Sequence, residues 1–249
     1  MEKKQTSRVQ KLEFLLKQTD KIHLRDAAQM LDVSEMTLRR DLSSDSGNVV
    51  LLGGYIVMNP QKSGNHYQIF DQQTRHITEK MWLGKLAANL VKDGDTVFFD
   101  CGSTIPFIIS QIDPQIKFTA LCCSINSFMA LQDKPHCEVI LCGGYYSRHN
   151  SFLTSVQLHS ELDAICTTKA FISASGIDIK KGVTSFSVDE AKVKQKAMAK
   201  TQLAILVFDH HKVHKIQQAY IGELAQFDLL ISNQPLPAGF GDVPKMLVK

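Results

Sequence analysis

Apolar residues recur at Leu24, Ala27, Ala28 and Leu31, the i, i+3, i+4, i+7 spacing of one helix face. Asp32 and Val33 break the pattern. Ser34 then suits an N-cap, its hydroxyl accepting from an orphan backbone N–H. Glu35 stands in the first turn, where the helix dipole favours an anion, and Val33 and Leu38 hold the positions of a hydrophobic staple. Leu38 and Leu42 continue the stripe. The spacing predicts two short helices joined by a tight turn over 24–42. Upstream, Val9, Leu12, Leu15 and Leu16 give the apolar face of a preceding helix, opened by the capping-box spacing of Ser7 and Gln10. Downstream, apolar runs on both sides of Gly53 and Gly54 predict a small hairpin, because paired glycines suit turns that need positive φ. Three helices and a hairpin make a winged helix-turn-helix over residues 1–58.

On the second helix of the pair, Met36, Arg40 and Ser43 point away from Leu38 and Leu42, with Thr37 and Arg39 flanking them. Arginine suits bidentate contact with guanine or phosphate, and methionine can pack on a thymine methyl. Ser34, Met36, Thr37, Arg39, Arg40 and Ser43 are therefore candidate contacts to double-stranded DNA. The plainer alternative is a helical hairpin with two solvated arginines. The preceding helix and the following hairpin argue against it.

Pro, Gly, Asn and Gln mark residues 59–74 as a linker. Residues 75–249 form the second domain. There Ile77, Met81, Leu83, Leu86, Ala87 and Leu90 predict a helix ending near Val91, and Asp93-Gly94-Asp95 a turn. Short continuous apolar runs follow at 96–100, 118–123, 138–142, 170–174, 203–209 and 227–232, as expected of strands covered on both faces. Helical stretches lie between several of them, the best at 187–200. The order predicts an α/β domain with an open, largely parallel sheet. The tail from Pro235 carries no clear pattern.

Charge constrains how DNA could be held. The 249-residue chain has a formal net charge of +3, and its first 58 residues hold nine Lys/Arg against eight Asp/Glu. Affinity must come from placed contacts and from a second copy of the head rather than from bulk charge. The N-terminus has no apolar signal core and no stretch reads as a membrane span, so a cytoplasmic protein without membrane partners is expected. Cys101, Cys122, Cys123, Cys137, Cys142 and Cys166 form no CxxC pair and lie in or beside apolar runs, which reads as reduced, buried thiols. No Cys/His spacing suits a metal, and no cofactor is called for. Trp82 reads as packing.

In open α/β sheets ligands bind beyond the carboxyl ends of the strands. Those ends carry polar or glycine-rich loops: Asp100-Cys101-Gly102-Ser103-Thr104, Ser124-Ile125-Asn126, Cys142-Gly143-Gly144, Ser175-Gly176-Ile177-Asp178 and Asp209-His210-His211-Lys212. Each alone could be a turn. Together they offer hydroxyls, N–H groups, a carboxylate and an ammonium, a set that suits a phosphorylated sugar or polyol. Glu190 and Lys194 at i, i+4 read either as a helix-stabilising ion pair or as sugar contacts.

VSEMTLRRDL at 33–42, LLGGYIV at 51–57, FFDCGST at 98–104, CSIN at 123–126, ASGID at 174–178 and DHHK at 209–212 together resemble the DeoR family of bacterial transcription regulators. The motifs stand in the family's order over nearly the whole chain. The resemblance implies a winged helix-turn-helix, a C-terminal sensor similar to ribose-5-phosphate isomerase, and no enzymatic role. It implies a phosphorylated-sugar effector, deoxyribose 5-phosphate, that relieves repression of deoxyribose and nucleoside catabolic genes at operator DNA. A homo-oligomer, dimer or higher, is expected. Phosphate roles carry over to Gly102, Ser103 and Thr104, with Asn126 and Lys212 beside them, and Asp178 matches the family's acidic position. The expected effector set is completed by Asp100, Ser124, Gly176, Glu190 and Lys194. Asp32 stands where such turns often have Gly, and Val213-His214 replaces the more usual Phe-Gly after Lys212. The rival from another class is a sugar-phosphate isomerase with an appended head, using Asp178 and Glu190 as acid and base. In it residues 1–58 would have no purpose.

Overall fold

Leu38 is wholly buried, and the N-terminal unit closes around it with Leu12, Leu24, Ala27, Ala28 and Ile56. This computed structural model describes residues 2–16, 19, 21–42, 49–52, 55–58, 76–147, 150–156, 161–240 and 243–248. They fall into two units, Met1–His66 and Tyr67–Lys249. The expected linker at 59–74 lies outside the described residues.

In the first unit α1 spans Glu2–Leu16, α2 Leu24–Met30 and α3 Glu35–Leu42. The capping box expected at Ser7 and Gln10 does not open α1, which starts at Glu2. The Lys, Glu and Gln residues upstream are good helix formers and carry the helix past it. The turn between α2 and α3 forms as the pattern requires. Asp32 takes φ 51°, a left-handed conformation that Asp tolerates, and the Thr37 N–H donates to Ser34 Oγ at 3.1 Å. Strands β2 (Val49–Leu52) and β3 (Tyr55–Met58) pair antiparallel, while Gly53 and Gly54 between them lie outside the described residues. A short strand the pattern did not reveal, β1 (Ile22–His23), pairs with β3, giving the order β1-β3-β2 of a winged helix-turn-helix sheet.

In the second unit α4 (Ile77–Ala88) leads into β4 (Thr96–Phe99), α5 (Ile105–Ser110), β5 (Phe118–Cys122), α6 (Ile125–Leu131) and β6 (Cys137–Leu141). The hairpin β7 (Tyr145–Ser147) and β8 (Phe152–Thr154), α7 (Glu161–Ala164) and β9 (Lys169–Ser173) follow. Then come β10 (Gly176–Asp178), β11 (Gly182–Ser185), α8 (Val188–Ala199), β12 (Ala204–Phe208), β13 (Ala219–Gly222), β14 (Leu229–Ser232) and β15 (Lys245–Val248). Seven strands build one sheet in the order β15-β14-β12-β9-β4-β5-β6, and every pairing in it is parallel. All six expected strands are present. The seventh, β15, comes from the unassigned tail.

Both faces of this sheet are covered, which is why its strands read as unbroken apolar runs. Phe98, Leu121, Ile172 and Leu206 pack to one side with Ala191 and Ala197 of α8. Their neighbours Val97, Phe99, Phe171 and Val207 pack to the other with Leu83 of α4 and Ile105 and Ile108 of α5. Helix α4 turns differently from the expectation. Ile77 and Met81 are exposed, and Lys80, Leu83, Gly84, Ala87 and Ala88 face inward. Gly84 sets that face, since a Cβ there would meet the Phe107 carbonyl oxygen at 2.5 Å, so α5 can approach only a bare backbone. A second sheet, β10-β11-β13, is antiparallel, so Gly176 and Asp178 belong to a strand rather than to a strand-end loop. Cys101, Cys122, Cys123 and Cys142 are buried free thiols; Cys137 is half-buried and Cys166 exposed, contrary to a uniformly buried set. Trp82 is partly buried against the α4–α5 core.

Replacing Leu38 with Ala should cost the N-terminal unit about 2–5 kcal/mol, the range for truncating a buried leucine. Hydrogen exchange of α3 amides in the full chain reads this out. Protection unchanged from the wild type would contradict a core role for Leu38.

Candidate functional site

The two units carry separate candidate surfaces. On α3 the faces divide sharply. Met36 is 75% exposed and Arg39 and Arg40 are exposed, whereas Leu38 is wholly buried. Ser34 and Thr37 are engaged with each other as the helix cap, their hydroxyl oxygens 2.9 Å apart. Ser43 lies outside the described residues. Pattern reading missed Asp41, which sits at i+3 from Leu38 and is buried. It accepts from Arg8 Nε at 2.7 Å and Nη2 at 2.6 Å, both at Oδ2. This ion pair pins α3 to α1 and leaves Met36, Arg39 and Arg40 on the outer face.

The second surface lies at the carboxyl ends of β4, β5 and β9. Asp100 follows β4 and is buried to 1% exposure. Its Oδ1 accepts the Cys101 N–H at 2.6 Å. Its Oδ2 accepts from the Ser173 N–H at 2.9 Å, from Ser173 Oγ at 2.5 Å and from Lys194 Nζ at 2.7 Å. Lys194, equally buried, also donates to the Ser173 carbonyl at 2.9 Å. Asp100 and Lys194 thus neutralise each other under the loop, rather than standing open in it. The expected Glu190–Lys194 pair on α8 is not made among the described residues.

Above this pair runs Gly102-Ser103-Thr104. A Cβ on Gly102 would fall 2.0 Å from Ser173 Oγ, so only glycine lets the loop settle onto β9. The backbone N–H groups of Gly102, Ser103 and Thr104 have no partner among the described residues. Thr104 precedes α5 without a side-chain cap bond. Ser127 on α6 donates to the Asp100 carbonyl at 2.7 Å and brings α6 against the same strand end. At the start of α6, Ser124 Oγ and Asn126 Nδ2 are buried and unpartnered among the described residues.

Asn150 and Ser185 complete the cluster, and sequence reasoning missed both. Ser151, at φ 52°, reverses the chain between β7 and β8. The Ile125 N–H donates to the Ser151 carbonyl at 2.9 Å and the Leu153 N–H to the Cys123 carbonyl at 2.8 Å, which returns the segment to the end of β5. Asn150 Nδ2 donates to Glu190 Oε1, and Ser185 Oγ to Glu190 Oε2 at 2.6 Å. Asn150 Oδ1 is buried and unpartnered among the described residues. The one available signal was the Gly143-Gly144 turn, which announces a chain reversal at a strand end.

The structure does not gather the other expected residues so closely. The Gly176 carbonyl accepts from Thr184 Oγ1 at 3.2 Å within the antiparallel sheet. Asp178 Oδ1 accepts the N–H groups of Lys180 and Lys181 at 2.8 and 3.0 Å and so caps the turn into β11. Lys212 ends a short 3-10 turn, His210–Lys212, opened by Asp209, whose carboxylate accepts the His211 N–H at 3.0 Å. His214 takes φ 60° where the commoner glycine would sit, so the departure at Val213-His214 is accommodated by a left-handed residue. Among the described residues no His/Cys/Asp/Glu group is arranged to hold a metal.

Electrostatics follow from burial. Desolvation alone would raise Asp100, but the Lys194 ammonium and the Ser173 hydrogen bonds outweigh it and hold the carboxyl below its ordinary range. Desolvation would lower Lys194, but Asp100 beside it raises the ammonium above its ordinary range. Burial, with Asp100 and Glu190 nearby, pushes the Cys101 thiol well up, so it stays protonated and unreactive.

Comparison with known proteins adds the following. A family model described as the DeoR-like helix-turn-helix domain matches residues 8–61, and one described as the DeoR C terminal sensor domain matches residues 75–234. The deoxyribose operon repressor of Escherichia coli (strain K12) is 46% identical over 233 residues, 94% of this chain and 92% of the relative. The HTH-type transcriptional regulator GolR of Listeria innocua serovar 6a is 28% identical over 232 residues, 92% of this chain and 91% of the relative. Ribose 5-phosphate isomerase A from Methanocaldococcus jannaschii matches 54% of this chain and 53% of its own, with 15% identity and a TM-score of 0.41.

The buried pair sets a pH dependence. Asp100, lowered, contributes stability above about pH 4 that is lost on further acidification. Lys194, raised, contributes stability up to about pH 10 that is lost at higher pH. In Lys194→Met the carboxylate loses its cation and burial dominates. The cost is about 3–5 kcal/mol at pH 7, and between pH 7 and 4 stability should rise on acidification, a range in which the contribution of the wild-type pair is level. Urea unfolding followed by the fluorescence of the chain's single tryptophan, Trp82, checks this. Parallel wild-type and variant curves would contradict the pairing.

Proposed function

The chain belongs to the DeoR family of helix-turn-helix regulators, and from that premise we propose that it represses a deoxyribose or nucleoside catabolic operon until a phosphorylated sugar releases it from DNA. The relatives reported above are named as a repressor and a regulator, and this chain is likewise a regulator rather than an enzyme. The isomerase reading needs Asp178 and Glu190 free to move protons. Asp178 caps its own turn, and both Glu190 oxygens hold Asn150 and Ser185.

One observation carries the sensor half: among the described residues, three buried polar side-chain atoms, Ser124 Oγ, Asn126 Nδ2 and Asn150 Oδ1, have no partner, and neither do the N–H groups of the loop 102–104. Buried polar groups are nearly always paired, so this arrangement suits a polar, anionic ligand. Gly102, Ser103 and Thr104 would take the phosphate, Ser124, Asn126 and Asn150 the sugar. Asp100, Lys194 and Glu190 hold these groups in place. Lys212 is a further candidate for the anion. Deoxyribose 5-phosphate is the effector we favour, supported by the operon named in the 46% identical relative.

For the DNA half, Met36, Arg39 and Arg40 form the outward face of α3. An eight-residue helix reads few base pairs and the head has little net charge, so we propose a homo-oligomer, dimer or higher, acting in the cytoplasm. No described helix is long and apolar enough to cross a membrane. The effector would act by preferring the oligomer arrangement that binds operator less well.

Two measurements test this reading. A labelled duplex selected for binding to the full chain, followed by anisotropy at fixed salt, should be released on adding deoxyribose 5-phosphate. A binding curve unmoved at saturating sugar phosphate would overturn the proposal. In the same assay Arg40→Ala should weaken the selected duplex by roughly 10- to 100-fold and relax discrimination at one base position. A uniform loss across all sequences would reassign Arg40 to the phosphate backbone.

A further inference from the structure

Asn150 has one polar atom without a partner among the described residues, and Glu190 fixes which one it is. An amide carries a donor and an acceptor on opposite sides of its carbon. Glu190 Oε1 takes the donor side, Nδ2, because a carboxylate accepts. Ser185 Oγ fills the other carboxylate oxygen at 2.6 Å, so Glu190 has no freedom to turn away. The Asn150 acceptor, Oδ1, must then face the other way, where it is buried and unpartnered among the described residues. Asn150 itself is 5% exposed.

The surroundings of that oxygen decide what it can meet. The Ile125 N–H donates to the Ser151 carbonyl, so Asn150 runs alongside Ser124 and the first turn of α6. There Ser124 Oγ, wholly buried, can donate or accept, and Asn126 Nδ2 can only donate. An acceptor and a donor on adjoining segments, both without partners among the described residues, fit a group that itself donates and accepts. A hydroxyl does both. The ionised oxygens of a phosphate only accept, and one of them would face Asn150 Oδ1 lone pair to lone pair.

We infer that Asn150, held by Glu190 and Ser185, is the specificity-determining residue that makes this pocket answer to a sugar hydroxyl rather than to phosphate alone. Asn150 touches the ligand; Glu190 and Ser185 are positioning residues that act through it. The inference rests on reading the pocket as a sugar-phosphate sensor. It adds that the phosphate end and the hydroxyl end are recognised by different segments, the first by 102–104 and the second by 150 with the start of α6.

The test uses the full chain on its selected duplex and two probes, deoxyribose 5-phosphate and inorganic phosphate. The readout is the ratio of their half-effect concentrations. In Asn150→Leu this ratio, phosphate over sugar phosphate, should fall about 10-fold or more, because a site built to bond a hydroxyl loses that selectivity with its partner. Ser185→Ala, a milder change that loosens Glu190, should lower the ratio by about threefold and keeps the question answerable if Asn150→Leu does not fold. Glu190→Gln should also lower it, since its amide can let Asn150 turn over. An unchanged ratio in folded Asn150→Leu and Ser185→Ala would overturn the inference while leaving the sensor reading intact. A wild-type chain released by neither probe would overturn both.

Discussion

A lysine and an aspartate, each about 1% exposed, meet at 2.7 Å beneath the strand ends, and the geometry of the second unit follows from that contact. Neither charge could be buried alone, because the desolvation cost would neutralise it or unfold the site. Together, with Ser173 donating to Asp100 and accepting from Lys194, they form a closed set. The contact fixes α8 in rotation and height over the sheet. Glu190 stands one turn earlier on the same helix, so seating Lys194 on Asp100 also seats Glu190 under Asn150. The same carboxylate takes the Cys101 N–H and so aims the loop that follows.

The DNA-facing unit uses a smaller version of the same device. Asp41 is buried on α3 and tied to Arg8 on α1, which fixes the roll of α3. Roll matters because Met36, Arg39 and Arg40 occupy only part of the helix circumference. A helix free to rotate by one residue position would present Glu35 or Asp41 instead. With so little net charge in the head, placement does most of what charge density does in a strongly basic protein.

Much of this was legible in the amino-acid order. The α2–α3 pair carries its own caps and turn, and the parallel strands announce themselves as unbroken apolar runs. What escaped has identifiable causes. Strand β1 is two residues long and exists through backbone pairing with β3, which leaves no side-chain period. Gly176 to Asp178 looked like a loop because Ser175-Gly176 reads as a turn, yet antiparallel pairing with β11 overrides that local preference. Glu190 and Lys194 have the spacing of a helical ion pair, but each has a better partner far away in sequence. Asn150 could not be found from its neighbourhood, since the residue that gives it meaning lies 40 positions further on.

That last feature governs time as well as space. Ser173 and Lys194 follow Asp100 by 73 and 94 residues, so closing this cluster needs contacts between segments far apart in sequence. The N-terminal unit closes over shorter spans, Arg8 and Asp41 lying 33 residues apart. Local contacts form first and distant ones later. During synthesis the first unit is therefore complete before the Asp100 cluster can close. That interval ends only when Lys194 has been made, 94 residues after Asp100.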